Sequence, residues 1–142
     1  MRTLVDTDAL LGLINTHDAL HKRAKGVVKE FVRQKVTIFV LPTTLGEFAT
    51  ISSIRLGFQE SKKVINLIAK SGYIPLDVTG DMVLEATALY QEQTSKENSL
   101  FDCFNMVAAD KHSIDCIFSF DRGYTQNGFL LAEAYLNLTP TR

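Results

Sequence analysis

The chain lacks what several common protein classes depend on. Its two cysteines, Cys103 and Cys116, show neither a C-x-x-C motif nor Cys/His ligand spacing. They read as small buried hydrophobes, and neither a disulfide nor a zinc site is expected. No apolar run approaches the length that crosses a bilayer, and Met1-Arg2 leads straight into a short strand without a secretory h-region. A soluble, cytoplasmic protein is therefore expected. A basic excess is missing too: 15 Lys and Arg stand against 16 Asp and Glu, for a net charge of −1, which argues against a strongly basic nucleic-acid binder. His17, His21 and His112 have no metal spacing and no Ser or Cys partner, so a His-based triad or general base is not supported. Repeats, low-complexity tracts and long linkers are absent.

What is present fits one globular domain spanning 1–142, with 46% hydrophobic and 22% charged residues. Residues 2–6 read as a strand and 8–14 as a short helix. A longer helix follows, with Leu20, Ala24, Val27, Val28, Phe31 and Val32 at helical spacing. Lys22, Arg23, Lys25, Lys29 and Arg33 form its solvated side. Val36 to Leu41 is a β-branched and aromatic run stopped by Pro42, as expected of a buried parallel strand. Two helices in hairpin arrangement come next, one with Phe48, Ile51, Ile54 and Phe58 as its stripe, the other with Val64, Ile65, Leu67 and Ile68, interrupted at Gly57. Tyr73 to Val78 reads as a third strand, followed by a helix with Met82, Val83, Ala86, Leu89 and Tyr90 on one face. After the polar stretch Gln93 to Asn98, Ser99 opens another helix, and Cys116 to Phe120 makes a fourth strand; Phe129 to Leu138 reads as either a short strand or a helix. This alternation predicts an α/β fold with a mostly parallel sheet of four to five strands, flanked by helices on both faces.

Four acids, Asp6, Glu47, Asp102 and Asp121, fall where strands end or helices begin, the edge at which an open α/β sheet gathers ligands. A carboxylate at the rim of a sheet starts to lose its hydration and needs a partner. No row of Lys or Arg accompanies these four, so a hard divalent cation, Mg²⁺ or Mn²⁺, is the expected partner. Each acid also has a purely local explanation. Asp6 has the N-cap of the 8–14 helix, for which Thr7 and Asp8 compete. Thr44 and Glu47 fit a capping box, as do Ser99 and Asp102, and Asp121 before Arg122-Gly123 suits a turn. The helix around Asp102 is apolar on most sides, which tips that residue toward ligand binding. Supporting roles fall to Asn105, one helical turn beyond Asp102, to Ser119, two residues before Asp121 on the same strand face, and to Thr7. Setting aside the four acids leaves 15 basic residues against 12 acids, a mildly cationic surface compatible with a polyanion.

With these residues assembled, the chain resembles a PIN domain, most closely the VapC-type toxin ribonuclease of a toxin–antitoxin pair. Val5-Asp6-Thr7-Asp8-Ala9-Leu10-Leu11 is similar to the family's opening strand and first acid, and Leu45-Gly46-Glu47-Phe48 to the segment carrying the second. Ser99-Leu100-Phe101-Asp102 with Asn105 to Ala109 resembles the third, and Ser119-Phe120-Asp121-Arg122-Gly123-Tyr124 the closing Ser-x-Asp segment before an aromatic residue. Two departures bear on a second metal position: Asp8 stands where Asn or Ser is frequent, and Arg122-Gly123 where a further acid or Asn is frequent. The resemblance implies Mg²⁺- or Mn²⁺-dependent hydrolysis of RNA phosphodiesters, with Asp6, Glu47, Asp102 and Asp121 as catalytic and metal-binding residues. It also implies a homodimer and a small antitoxin partner.

Two other readings are weighed beside it. Leu4 to Leu10 superficially fits the Asp-x-Asp opening of a haloacid-dehalogenase-type phosphatase, with Asp6 as nucleophile, although Leu10 stands where Thr or Val is usual and no late acidic pair follows. A PIN-like module with a silent site, binding RNA or protein, is the non-enzymatic reading.

Overall fold

Short apolar runs and amphipathic stretches alternate along the chain, and the computed structural model, which describes residues 1–138, turns them into four strands and eight helices. In order these are β1 (Arg2–Val5), α1 (Thr7–Ile14), α2 (His21–Gln34), β2 (Thr37–Val40), α3 (Pro42–Leu56), α4 (Phe58–Ala69), β3 (Ile74–Pro75), α5 (Gly80–Glu92), α6 (Leu100–Lys111), β4 (Cys116–Phe118), α7 (Gly123–Gln126) and α8 (Ala132–Leu138). Residues 139–142 of the expected 1–142 domain lie outside the described residues. All strand pairs are parallel, in the order β3-β2-β1-β4. The carboxyl ends of β1, β2 and β4 therefore share one edge, with β1 and the crossovers it requires at the centre.

Strand side chains alternate between two cores. Val5, Val40, Cys116 and Phe118 pack with Leu10, Ala24, Phe31, Phe48 and Ala132 of α1, α2, α3 and α8. On the other face Leu4 and Phe39 meet Met82 and Ala86 of α5 and Phe104 and Val107 of α6. Helices thus cover both faces, as the alternation predicts. Phe31 and Phe118 meet edge to face, with centroids 5.2 Å apart. Both cysteines are buried free thiols, and burial pushes each up to about 11, so they stay protonated at neutral pH.

Several expected elements differ in extent, for local reasons. The third strand, expected over 73–78, shrinks to Ile74–Pro75. It is a sheet edge where Ile74 is exposed and Pro75 has no N–H to give a neighbour. The fourth strand ends at Phe118 rather than Phe120, because side chains capture the next backbone donors: Phe120 N–H donates to Asp8 Oδ2 (2.7 Å) and Asp121 N–H to Ser119 Oγ (3.1 Å). The period-two argument for Ser119 and Asp121 therefore gives way to a turn. The segment 129–138 makes the helix α8, preceded by a single parallel bridge from Leu131 to Ile117.

The expected helix stripes are only partly covered. Val32, Ile54, Phe58, Leu67, Val83 and Tyr90 are exposed, because periodicity marks a face and not what packs on it. On α2 the five cations do face solvent, where Arg23 pairs with Glu133 and Arg33 with Glu30. Gly57, at φ 89°, joins α3 to α4, and a buried Ser52–Ser61 hydroxyl contact of 2.7 Å fastens that hairpin. Among the described residues no helix is long and apolar enough to cross a membrane.

Candidate active site

At the carboxyl edge of the sheet, β1 hands directly into α1 through Asp6, which is both the helix N-cap and part of a buried polar network. Its Oδ1 accepts from Thr7 N–H (2.7 Å) and from Asn105 Nδ2 (3.0 Å). Asn105, fully buried on α6, also donates to the Tyr124 hydroxyl (2.9 Å) and accepts from Thr44 Oγ1 (3.1 Å). The Tyr124 hydroxyl in turn donates to Asp102 Oδ1 (3.0 Å). A continuous chain, Asp6–Asn105–Tyr124–Asp102, therefore ties acids far apart in sequence to one another.

The capping boxes divide. Ser99 and Asp102 form theirs: Oδ2 of Asp102 accepts from the Ser99 amide (2.6 Å) and hydroxyl (2.7 Å), leaving Oδ1 for Tyr124. Thr44 and Glu47 do not. Pro42 opens α3 behind Leu41, which provides no side-chain cap, and Thr44 turns instead to Asn105. Glu47, half-buried, accepts from Thr7 Oγ1 at 2.5 Å, which brings it to the Asp6 side of the edge. Asp121 adopts the turn its sequence suits, with Oδ1 accepting from Gly123 N–H (2.8 Å).

Burial, with charge from neighbouring acids, raises three of the carboxyls at this edge. Burial, then the charges of Asp8 and Asp102, push Asp6 up to about 8, against the opposing amide of Thr7. Glu47 is raised by burial and, less strongly, by Asp102 and Asp8, with the Thr7 hydroxyl opposing. Asp8 is raised by burial, the Phe120 amide opposing and Asp121 adding to the rise. Burial and the neighbouring acids push Tyr124 well above the usual phenol range, so it stays a neutral donor. The ion pairs found among the described residues lie elsewhere, on α2, α4 and α5–α6. Arg23, the cation that feels Asp8, is already paired with Glu133 and stacked over Phe120 at 4.7 Å.

All five acids thus act on one field, but their oxygens are separated by neutral donors. Among the described residues no three Asp, Glu, His or Cys side chains stand as a ready ion-holding group. Each carboxylate instead has an N–H or O–H partner of its own. The site nonetheless fits a hard cation on its own chemistry. Its charged donors are all oxygens, Asp6 sits in an environment that penalises its charge, and Asp8 Oδ1 is buried with no hydrogen-bond partner.

No family model and no curated protein sequence matches the chain. Solved structures do match in fold. The VapC20 toxin of Mycobacterium tuberculosis, described as cleaving the sarcin–ricin loop, superposes with a TM-score of 0.79 at 22% identity, over 90% of this chain and 96% of that one. The fold is the VapC-type PIN fold. VapBC2 of Rickettsia felis, in a structure bound to a DNA fragment from its promoter, matches with a TM-score of 0.68 at 12% identity, over 92% of this chain and 96% of that one.

Within this PIN fold the structure adds two residues that sequence reasoning passed over. Asp8 figured as a rival cap and as a departure from the family pattern, not as a site residue, yet it closes the turn after β4 and couples to Asp6. Tyr124 figured only as an aromatic in the closing segment. Its ring is fully buried beside Met106 and Ile117, and only the hydroxyl reaches the acids. The usable signal for Asp8 was its place two residues after Asp6 in the first helical turn; for Tyr124 there was none beyond the motif.

Proposed function

We propose that this PIN-fold chain is a divalent-metal-dependent endoribonuclease, the toxin of a toxin–antitoxin pair, acting in the cytoplasm. The observation that carries the reading is the clustering of Asp6, Asp8 and Glu47, each raised by burial and by at least one neighbouring acid, with Asp102 and Asp121 among those neighbours and no cation among the described residues in an ion pair with any of them. Buried like charges without a partner are costly, and a bound ion is what such a set is built to share.

Asp6 and Asp102 are the principal ligands, with Glu47 and Asp121 completing the shell or positioning the attacking water. Mg²⁺ or Mn²⁺, when bound, supplies Lewis acidity that acidifies water and offsets charge on the phosphoryl oxygens. In hydrolysis a water oxygen bonds to phosphorus and one P–O ester bond breaks, leaving one chain end with the phosphate and the other with a hydroxyl. The protein's share is orientation. Asn105 Nδ2 fixes Asp6, the Tyr124 hydroxyl fixes Asp102, Thr7 Oγ1 fixes Glu47, and Ser119 Oγ braces the backbone of Asp121.

The test is RNA cleavage by the purified chain in Mg²⁺ and in EDTA, beside Asp102→Asn. Loss of several kcal/mol of transition-state stabilisation predicts a fall of at least about a hundredfold in EDTA and in the variant. Full activity of Asp102→Asn would remove that residue from the site.

The exposed apolar side chains of the α3–α4 hairpin, Ile54, Phe58 and Leu67, are the surface this reading gives to a second copy of the chain and to a small antitoxin. Sedimentation should give a dimer for the wild type and a monomer for the Ile54→Glu, Leu67→Glu double variant; a wild-type monomer at all concentrations would end the homodimer proposal.

A further inference from the structure

Beside the acids lies an open cleft of about 570 Å³, lined by Thr43, Gly46, Glu47, Thr50, Ile51 and Phe101. One wall is the first half of α3. The other is Phe101, in the first turn of α6 and adjacent to Asp102, with its ring exposed to solvent like neighbouring Leu100. Glu47 lines this cleft and its carboxylate meets Thr7 at the acidic site, so the two adjoin through one residue. The cleft is open beside Gly46, where an added Cβ meets nothing within 4 Å. Thr50 already donates its hydroxyl to Gly46 O (3.0 Å), but Thr43 Oγ1 is buried without a hydrogen-bond partner.

The geometry points to a subsite for one unpaired nucleobase of single-stranded RNA, stacked on Phe101 with its polar edge toward Thr43. The inference rests on the ribonuclease reading for its choice of polymer. Charge decides which part of a nucleotide fits. The lining has no Lys or Arg and carries Glu47, so it repels a phosphate and suits the uncharged base of a nucleotide whose phosphate lies at the acids. Shape agrees. An exposed aromatic ring beside an open slot is how proteins hold a splayed base, since every base offers a π face. The buried, unpaired Thr43 hydroxyl gives the slot one hydrogen-bonding group with which to prefer some base edges over others.

The experiment is fluorescence anisotropy with labelled single-stranded RNA homopolymers. It uses the full chain in Ca²⁺, which takes the same oxygen ligands as Mg²⁺ but polarises bound water less, so that the acids are neutralised while cleavage is slowed. Stacking is worth about 1–3 kcal/mol per base, so Phe101→Ala should weaken binding by about 5- to 150-fold, with Phe101→Trp restoring it. Tyr90→Ala, removing an exposed aromatic of α5, should leave binding unchanged, and a duplex of the same sequence should bind more weakly. Thr43→Val should change the order of preference among the four homopolymers. Binding by Phe101→Ala within about twofold of wild type, equal affinity for the duplex, or no binding by the wild type would each overturn the subsite; an unchanged order with Thr43→Val would overturn the part given to the hydroxyl. Cleavage assayed alongside separates the two readings. Phe101-dependent binding without cleavage sinks the ribonuclease and leaves the subsite standing, whereas cleavage with Phe101-independent binding does the reverse.

Discussion

Replacing Asp6 with Asn should remove RNA cleavage and at the same time make the metal-free protein more stable above neutral pH. The two effects have one cause. In the folded chain Asp6 is pushed from 3.8 up to about 8 by burial and by Asp8 and Asp102, so between those values the fold holds a proton that the unfolded chain has released. Stability therefore falls as pH rises through that window; the penalty is absent below about pH 4 and complete above about pH 8. Its upper limit is on the order of 6 kcal/mol. An amide at position 6 keeps an oxygen for Thr7 N–H and Asn105 Nδ2 but carries no charge to bury. Urea denaturation in EDTA at pH 5 and at pH 8 should show the wild type losing stability relative to Asp6→Asn. Parallel behaviour of the two proteins would show that Asp6 carries no such burden.

Gly123→Ala should destabilise the fold and cripple the site together. A Cβ at 123 falls 1.9 Å from Asn98 Oδ1 and 3.3 Å from Asp121 Oδ1. Asn98 has little room to retreat: it is buried, and its Nδ2 donates to Gln93 Oε1 (2.7 Å). Asn127 bonds Gly123 O (2.9 Å) and the same Gln93 oxygen (3.3 Å), so three amides clasp the turn. That turn carries Asp121 on one side of Gly123 and Tyr124 on the other. Overpacking of this kind costs about 1–3 kcal/mol, which for a chain of this size lowers Tm by several degrees. Cleavage should fall further than stability accounts for, because Tyr124 and Asp121 move with the turn. A Tm within about one degree of wild type, with full cleavage, would contradict this packing account.

Much of the fold is legible from residues because its signals are local. β-branched and aromatic runs gave β1 and β2, helical spacing gave α2 and α6, and their alternation gave the parallel sheet. Extents were harder to read, since they depend on partners distant in sequence. β4 stops short because Asp8, on the far side of the sheet rim, takes the Phe120 amide, and β3 is brief because nothing continues the sheet beyond it. At the site, sequence treated capping and chemistry as alternatives. The structure shows that a carboxylate can cap a helix and join a tertiary hydrogen-bond network at once. Asp6 and Asp102 each cap a helix while joining the Asn105–Tyr124 network. Glu47, which resembled a cap, is not one, because Pro42 sets the start of α3 and Thr44 points to Asn105. Tyr124 could not be read in advance, because an aromatic beside a turn looks like core, and all of it but one hydroxyl is.

The central claim is that acids from β1, α3, α6 and the turn after β4 share a divalent cation. Calorimetric titration of Mn²⁺ into the wild type, Asp6→Asn and Asp102→Asn tests it most directly. The account predicts saturable binding to the wild type that raises its Tm, and loss of both effects in each variant. Absence of Mn²⁺ and Mg²⁺ binding to the wild type, or unchanged binding to both variants, would contradict it.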